Sequence, residues 1–325
     1  MTAVTAPAGT RLRHRAAQHR AVLPILAIFL LVVAGFGATT EHFFTTNNIV
    51  NVLRQGAPLV IVAIGATFVL VSAGIDLSIG AMVSVTGVVT ALLFKLGLPA
   101  EVVLPMALLI AAGVGAANGF LIAFQRLPSF IVTLGTLSIL SGSAQMLGRG
   151  FSIPVVAPDW VIAIGQGRIG LLPLPVILAF LAAFAGWIVL NRTAYGLRIR
   201  GIGSNAESVR RSGARVDLLV TSVYMISSVT AAIAGIVVAM RLQSGGATAG
   251  TGMELQAIAA VVLGGTSLFG GKGSIVGTVL GVYTLGFIEN GLILNHVDPF
   301  YVRIIQGAIL LAALWANTRL FSRLG

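Results

Sequence analysis

Apolar residues run through this chain in long blocks separated by short polar breaks. A helix needs about 20 apolar residues to cross the hydrocarbon of a bilayer. Blocks near that length occur at 21–40, 57–73, 77–97, 102–124, 129–148, 170–190, 216–240, 256–270, 274–294 and 301–317. The pattern predicts an all-α polytopic protein with about ten transmembrane helices, two of them (57–73 and 256–270) short and interrupted. It leaves no stretch for a soluble domain. Residues 21–325 read as one transmembrane domain, and residues 1–20 as a basic tail.

Composition narrows this further. The chain has 325 residues, of which 57% are hydrophobic and only 9% charged, where a soluble domain carries about 25% charged residues. Mean hydropathy is +1.01. A soluble globule, a disordered chain and a fibrous chain are excluded, and the 40 glycines show no collagen period. Cysteine is absent, which excludes disulfides, thiolate metal sites and a Cys nucleophile. The four histidines are scattered without ligand spacing, and no metal or other cofactor is expected.

The net charge of +11 is explained by topology. Arg11, Arg13, Arg15 and Arg20 precede the first apolar block, which reads as an uncleaved first helix rather than a signal peptide. With both termini in the cytoplasm, fourteen Lys and Arg fall inside and six outside, the expected bias. Residues 149–169, with Pro154, Pro158 and Trp160, read as an irregular external cap with Trp160 at the interface. Residues 191–215 form the largest cytoplasmic loop.

Two glycine motifs mislead. Gly201-Ile-Gly203-Ser-Asn-Ala206 fits a dinucleotide fingerprint, yet a membrane span rather than a strand precedes it. Gly270-Gly271-Lys272-Gly273 lacks the other P-loop positions, so the chain is not expected to bind ATP. Within 191–215, Asn205 to Gly213 reads as a short helix. Asn205 caps it, Glu207 sits at its positive end and Gly213 ends it. Such a helix either docks into a partner or is a solvated loop that fixes topology.

Polar residues inside the spans are few. Asp76 is costly there and either faces a passage or, with Ser78, caps the next helix. Gly74 and Gly80 fit a broken helix. Gly265, Leu268 and Gly271 repeat the spacing of Gly74, Leu77 and Gly80, a weak internal repeat. Ser129, Thr133, Thr136 and Ser143 share helical spacing, with Ser138, Ser141 and Gln145 alongside. They either line a path for a polyol or pack helices together. Asn118, Glu289 and Asn290 are the other polar positions. Gly115-x-x-x-Gly119 and Gly277-x-x-x-Gly281 read as packing motifs.

Four stretches resemble permease subunits of ABC importers of the ribose and simple-sugar type. They are the segment around 205–213, Gly74-Ile-Asp-Leu-Ser-Ile-Gly80, Pro128-Ser-Phe-Ile-Val-Thr-Leu-Gly-Thr136, and the block from Ala257 to Gly277 containing Gly-Gly-Thr-Ser-Leu-Phe-Gly-Gly-Lys-Gly. The resemblance runs from about residue 45 to the C-terminus, and branched-chain amino acid permeases share its broad pattern. It implies a bacterial inner-membrane subunit without its own ATPase site, therefore not an enzyme, that imports a monosaccharide or similar polyol. It also implies ATPase subunits on the cytoplasmic side, an extracytoplasmic sugar-binding protein and a second permease copy. On that resemblance Asn205, Glu207, Arg210, Ser212 and Gly213 meet the ATPase. The alternatives are an ABC permease for branched-chain amino acids or an ion-coupled secondary transporter, the latter with Asp76 and Glu289 as its thin support. No hydrolase or metalloprotease motif supports a membrane-embedded enzyme.

Overall fold

The computed structural model describes residues 8–322. The first seven residues of the basic tail and Arg323 therefore lie outside the described residues. The elements are α1 (Ala8–Thr39), α2 (Thr46–Val71), α3 (Ile79–Lys95), α4 (Ala100–Ala123), α5 (Ser129–Gly148), β1 (Ile153–Pro154), α6 (Asp159–Gln166), β2 (Arg168–Ile169), β3 (Leu172–Pro173), α7 (Leu174–Arg192), α8 (Ala194–Arg211), α9 (Val216–Leu242), β4 (Ser244–Gly245), α10 (Met253–Leu263), α11 (Ile275–Leu294) and α12 (Pro299–Ser322). Among the described residues seven helices are long and apolar enough to span a membrane. Three shorter apolar helices accompany them: Ile79–Lys95, Met253–Leu263 and Phe300–Ile309.

Three expectations need correction. The span expected at 57–73 is a continuous 26-residue helix starting at Thr46. Its first turns are polar, so a search for apolar runs misses them. Thr45 caps this helix by accepting from Asn48 N at 3.3 Å. Asn48 and Asn290 of α11 exchange reciprocal amide hydrogen bonds of 2.9 Å, which ties the polar start into the bundle. Second, the segment 149–169 is not irregular: it holds α6 and two short strands. β1 pairs antiparallel with β4, Ile153 opposite Gly245 and Pro154 opposite Ser244. β2 and β3 form a small hairpin that delays the start of α7 to Leu174. Trp160 is exposed on α6. Third, the 191–215 loop is mostly one helix, α8, with a kink.

α2, α3 and α9 form the buried centre. α4, α5 and α7 turn large apolar side chains outward, among them Leu109, Ile131, Ile139 and Phe180. Water would penalise such a surface and hydrocarbon does not. Both predicted packing motifs meet backbone. Gly115 and Gly119 lie against Tyr224 and Thr221 of α9, and Gly277 and Gly281 lie against Gly264 and Ala260. A side chain at any of them has no space.

The ends of α2 and α10 repeat one another. Ser72 N, Ala73 N and Gly74 N bond to Phe68 O, Leu70 O and Val69 O. Gly264 N, Gly265 N and Thr266 N bond to Ala260 O, Val262 O and Val261 O. The same pattern closes α3 at Leu96–Leu98 and α11 at Asn295–Val297, so it is a common helix end rather than a mark of the spacing repeat; Gly265 takes the place of Ala73 in it, both with positive φ (85° and 63°). The two other glycines assigned to breaks serve close approach. Gly74 lies against the Tyr224 hydroxyl. Gly80 lies inside the first turn of α3, against Gly250 O and the Glu254 carboxylate. The chain from β4 to α10 runs without helix, and Gly250 N bonds to Ser84 Oγ of α3 at 2.9 Å.

Candidate functional site

Two regions gather the polar residues of interest. The first surrounds the connector between α2 and α3. Asp76 Oδ1 accepts from Ser78 N at 3.0 Å and from Ser78 Oγ at 2.6 Å, while Asp76 Oδ2 accepts from Ser227 Oγ at 2.7 Å. Asn118 Nδ2 of α4 donates to Ser78 Oγ at 3.3 Å, and Thr136 Oγ1 of α5 donates to Asn118 Oδ1 at 2.6 Å. Ser129 Oγ lies 3.2 Å from Ile75 N, and Thr133 Oγ1 lies 3.3 Å from Ile75 O. All six residues expected along a path (Asp76, Ser78, Asn118, Ser129, Thr133 and Thr136) therefore belong to one network.

The centre of that network is closed, while Ser129 and Thr136 at its α5 edge are half-buried. Asp76, Ser78, Asn118 and Thr133 are each at most 3% exposed. Ser227 lies about 16 Å along α9 from Val216, so the carboxylate sits deep in the bundle. Three donors and no ion pair among the described residues hold it. Ser78 makes no cap bond of its own; its hydroxyl goes to Asp76 instead. Asp76 closes the turn before α3 by taking the Ser78 N–H. The other hydroxyls of α5 stay outside: Ser138 and Ser143 bond back to Leu134 O and Ile139 O of their own helix. Glu289 is exposed on α11 and accepts from Gln306, apart from Asp76. Ser227 and Tyr224 are network neighbours that the sequence reading missed. The Ser227-Ser228 pair inside an apolar span is the signal that marks the place.

The second region is α8 and its surroundings. Thr193 caps α8 by accepting from Gly196 N. The helix kinks at Asn205, whose φ of −162° and ψ of 95° are not helical. Asn205 Oδ1 accepts from Ser208 N at 3.0 Å, so it caps the second half as the sequence suggests. Ser212 is the C-cap, and Gly213 follows with φ of 85°, its N–H bonded to Arg210 O. Glu207 pairs with Arg210 and Arg211, and Arg210 reaches Asp217 at 2.9 Å, all exposed. Arg200, half-buried, donates to Asn191 Oδ1 at 2.9 Å. Burial pushes its guanidinium below the usual arginine pKa. The Gly201 to Ala206 fingerprint lies on helix, with no strand before it.

The kink of α8 packs on the other motif blocks. Gly203 meets Val71 O and Gly271 N, and Gly271 N itself bonds to Val71 O at 2.9 Å. Gly270 has φ of 86° and lies against Ala73 and Gly203, and Gly271, with φ of 77°, lies against Ser204. The end of α2, the kink of α8 and the loop after α10 thus meet backbone to backbone.

These features define a multi-pass helical membrane protein whose broken helices and one polar surface helix converge at one end. The chain belongs to the family described as branched-chain amino acid transport system / permease component, whose model matches residues 48–314. It is similar to the ribose import permease protein RbsC of Escherichia coli K12, 37% identical over 90% of this chain and 92% of that protein. It is 37% identical to the D-allose transport system permease protein AlsC of the same strain, over 91% of each chain. With the xylose transport system permease protein XylH of that strain it shares 32% identity over 91% of each chain. No solved structure matches it.

Proposed function

We propose that this chain is the membrane-spanning subunit of an ABC importer for a monosaccharide or similar small polyol, driven by ATP hydrolysis in separate subunits. The relatives named for ribose, allose and xylose support the sugar, and the convergence of α8 with the loop after α10 supports the coupling. The second half of α8, with Asn205, Glu207, Arg210, Ser212 and Gly213, is the ATPase contact in this reading. Its exposed polar side chains and rigid capping suit docking. Ten spans with both termini in the cytoplasm, a bacterial inner membrane, an extracytoplasmic sugar-binding protein and a second permease copy complete the proposal. A path through the dimer accords with the closed network around Asp76, which then braces the α2–α3 connector rather than lining a passage within one chain.

Gentle purification of the tagged protein from its native membrane tests the proposal. Recovery of an ATPase and a sugar-binding protein, with uptake that follows ATP, is the expected result. A chain that purifies without an ATPase and takes up substrate with an ion gradient overturns it.

A further inference from the structure

Arg54 of α2 and Arg241 of α9 lie at the same level of the bundle. The two helices run antiparallel, and Gly65 of α2 packs against Ser227 and Thr230 of α9. Eleven residues from Gly65 toward the start of α2 reach Arg54, and eleven from Thr230 toward the end of α9 reach Arg241. Eleven residues are about three helical turns, so each arginine lies on the same face of its helix as the Gly65–Thr230 contact, and the two face one another. Both side chains are half-buried, and Arg54 Nε and Arg241 Nη1 are buried without a hydrogen-bond partner. Arg54 has one long contact, Nη2 to Asn51 Oδ1 at 3.5 Å. Beside them α6 closes the end of α9: Gly165 lies on the Arg241 backbone, and Gln166 Nε2 donates to Arg241 O at 3.1 Å.

Two like charges facing one another are destabilising, and buried unpartnered donors add to that. Protein carboxylates do not relieve it. The nine Asp and Glu all fall within the described residues, and the ion pairs there involve only Glu207 and Asp217 of α8 and α9. Water satisfies donors but does not neutralise charge. An oxyanion does both, and guanidinium forks match phosphate oxygens in pairs.

We propose that Arg54 and Arg241 form a binding site for one phosphate group, free or carried on a lipid headgroup. The test is thermal unfolding of the purified full-length protein in detergent, with inorganic phosphate against chloride at equal ionic strength. A second arm compares nanodiscs of phosphatidylglycerol with nanodiscs of phosphatidylcholine. Phosphate raises the melting temperature by ~2–4 °C over chloride if the free anion binds. A rise confined to phosphatidylglycerol assigns the site to a lipid headgroup. In either case Arg54→Gln and Arg241→Gln abolish the rise. Because each removes a repelling charge, both variants melt at or above the parent without phosphate or anionic lipid. No specific rise in either arm, a rise that survives both substitutions, or variants that melt lower or fail to fold overturns the proposal.

Discussion

The Ser227 hydroxyl donates to Asp76 Oδ2 at 2.7 Å, joining α9 to the connector before α3 across 151 positions of sequence. One buried carboxylate thereby fixes where α2 ends and α3 begins. Removing a donor leaves a charged acceptor short of a partner, at about 1–3 kcal/mol. Ser227→Ala and Asp76→Asn are each expected to lower the melting temperature of the purified protein. Uptake per folded molecule is expected to stay near normal. Loss of uptake with unchanged melting assigns Asp76 to the path instead.

Gly203 has backbone on both sides, Val71 O and Gly271 N, so neither neighbour yields. Gly203→Val is expected to lift α8 from the end of α2 and to abolish ATP-dependent uptake. Gly201→Ala meets only a methyl of Val209 and is expected to retain most of it. Parallel uptake assays on membranes with matched protein levels decide the point.

Glu207 pairs with Arg210 and Arg211 at the surface, where ion pairs contribute about 0–1 kcal/mol. Glu207→Arg is expected to leave melting and membrane insertion nearly unchanged while weakening pull-down of the ATPase several-fold. Unchanged pull-down and uptake remove Glu207 from the contact.

Gly119 lies on the Thr221 backbone where α4 meets α9, and overpacking there costs about 1–3 kcal/mol or more. Gly119→Leu is expected to reduce folded yield sharply on gel filtration in detergent. Gly135→Ala on α5 meets nothing within 4 Å and is expected to match the parent.

Much of this was legible in the chain because hydrocarbon imposes long apolar runs. The span expected at 129–148 has those bounds in the structure, and Asn205 and Gly213 cap the second half of α8 as their chemistry suggests. The start of α2 was hidden because Asn47, Asn48, Asn51, Arg54 and Gln55 interrupt the apolar run while tertiary partners hold the helix. Spacing groups Ser129, Thr133 and Thr136, and the Ser227-Ser228 pair stands out in its span, but the bond from Ser227 to Asp76 is a contact made only by folding. The glycine spacing does not mark the end of α2, because the left-handed turn there is taken by Ala73, not by a glycine.

α10 has 11 residues, about 16 Å of helix against roughly 30 Å of hydrocarbon. Handed to a bilayer by itself, a helix of this length cannot cross, and the remaining depth falls to bare peptide groups. Its route into the membrane therefore depends on order of synthesis. The run of turns from β4 to α10 needs Ser84 and the glycine-sized gaps of α3, which are made first. Biogenesis of the last third of the chain becomes templated assembly against helices already inserted, and an internal deletion within α3 leaves α10 without the surface it packs on.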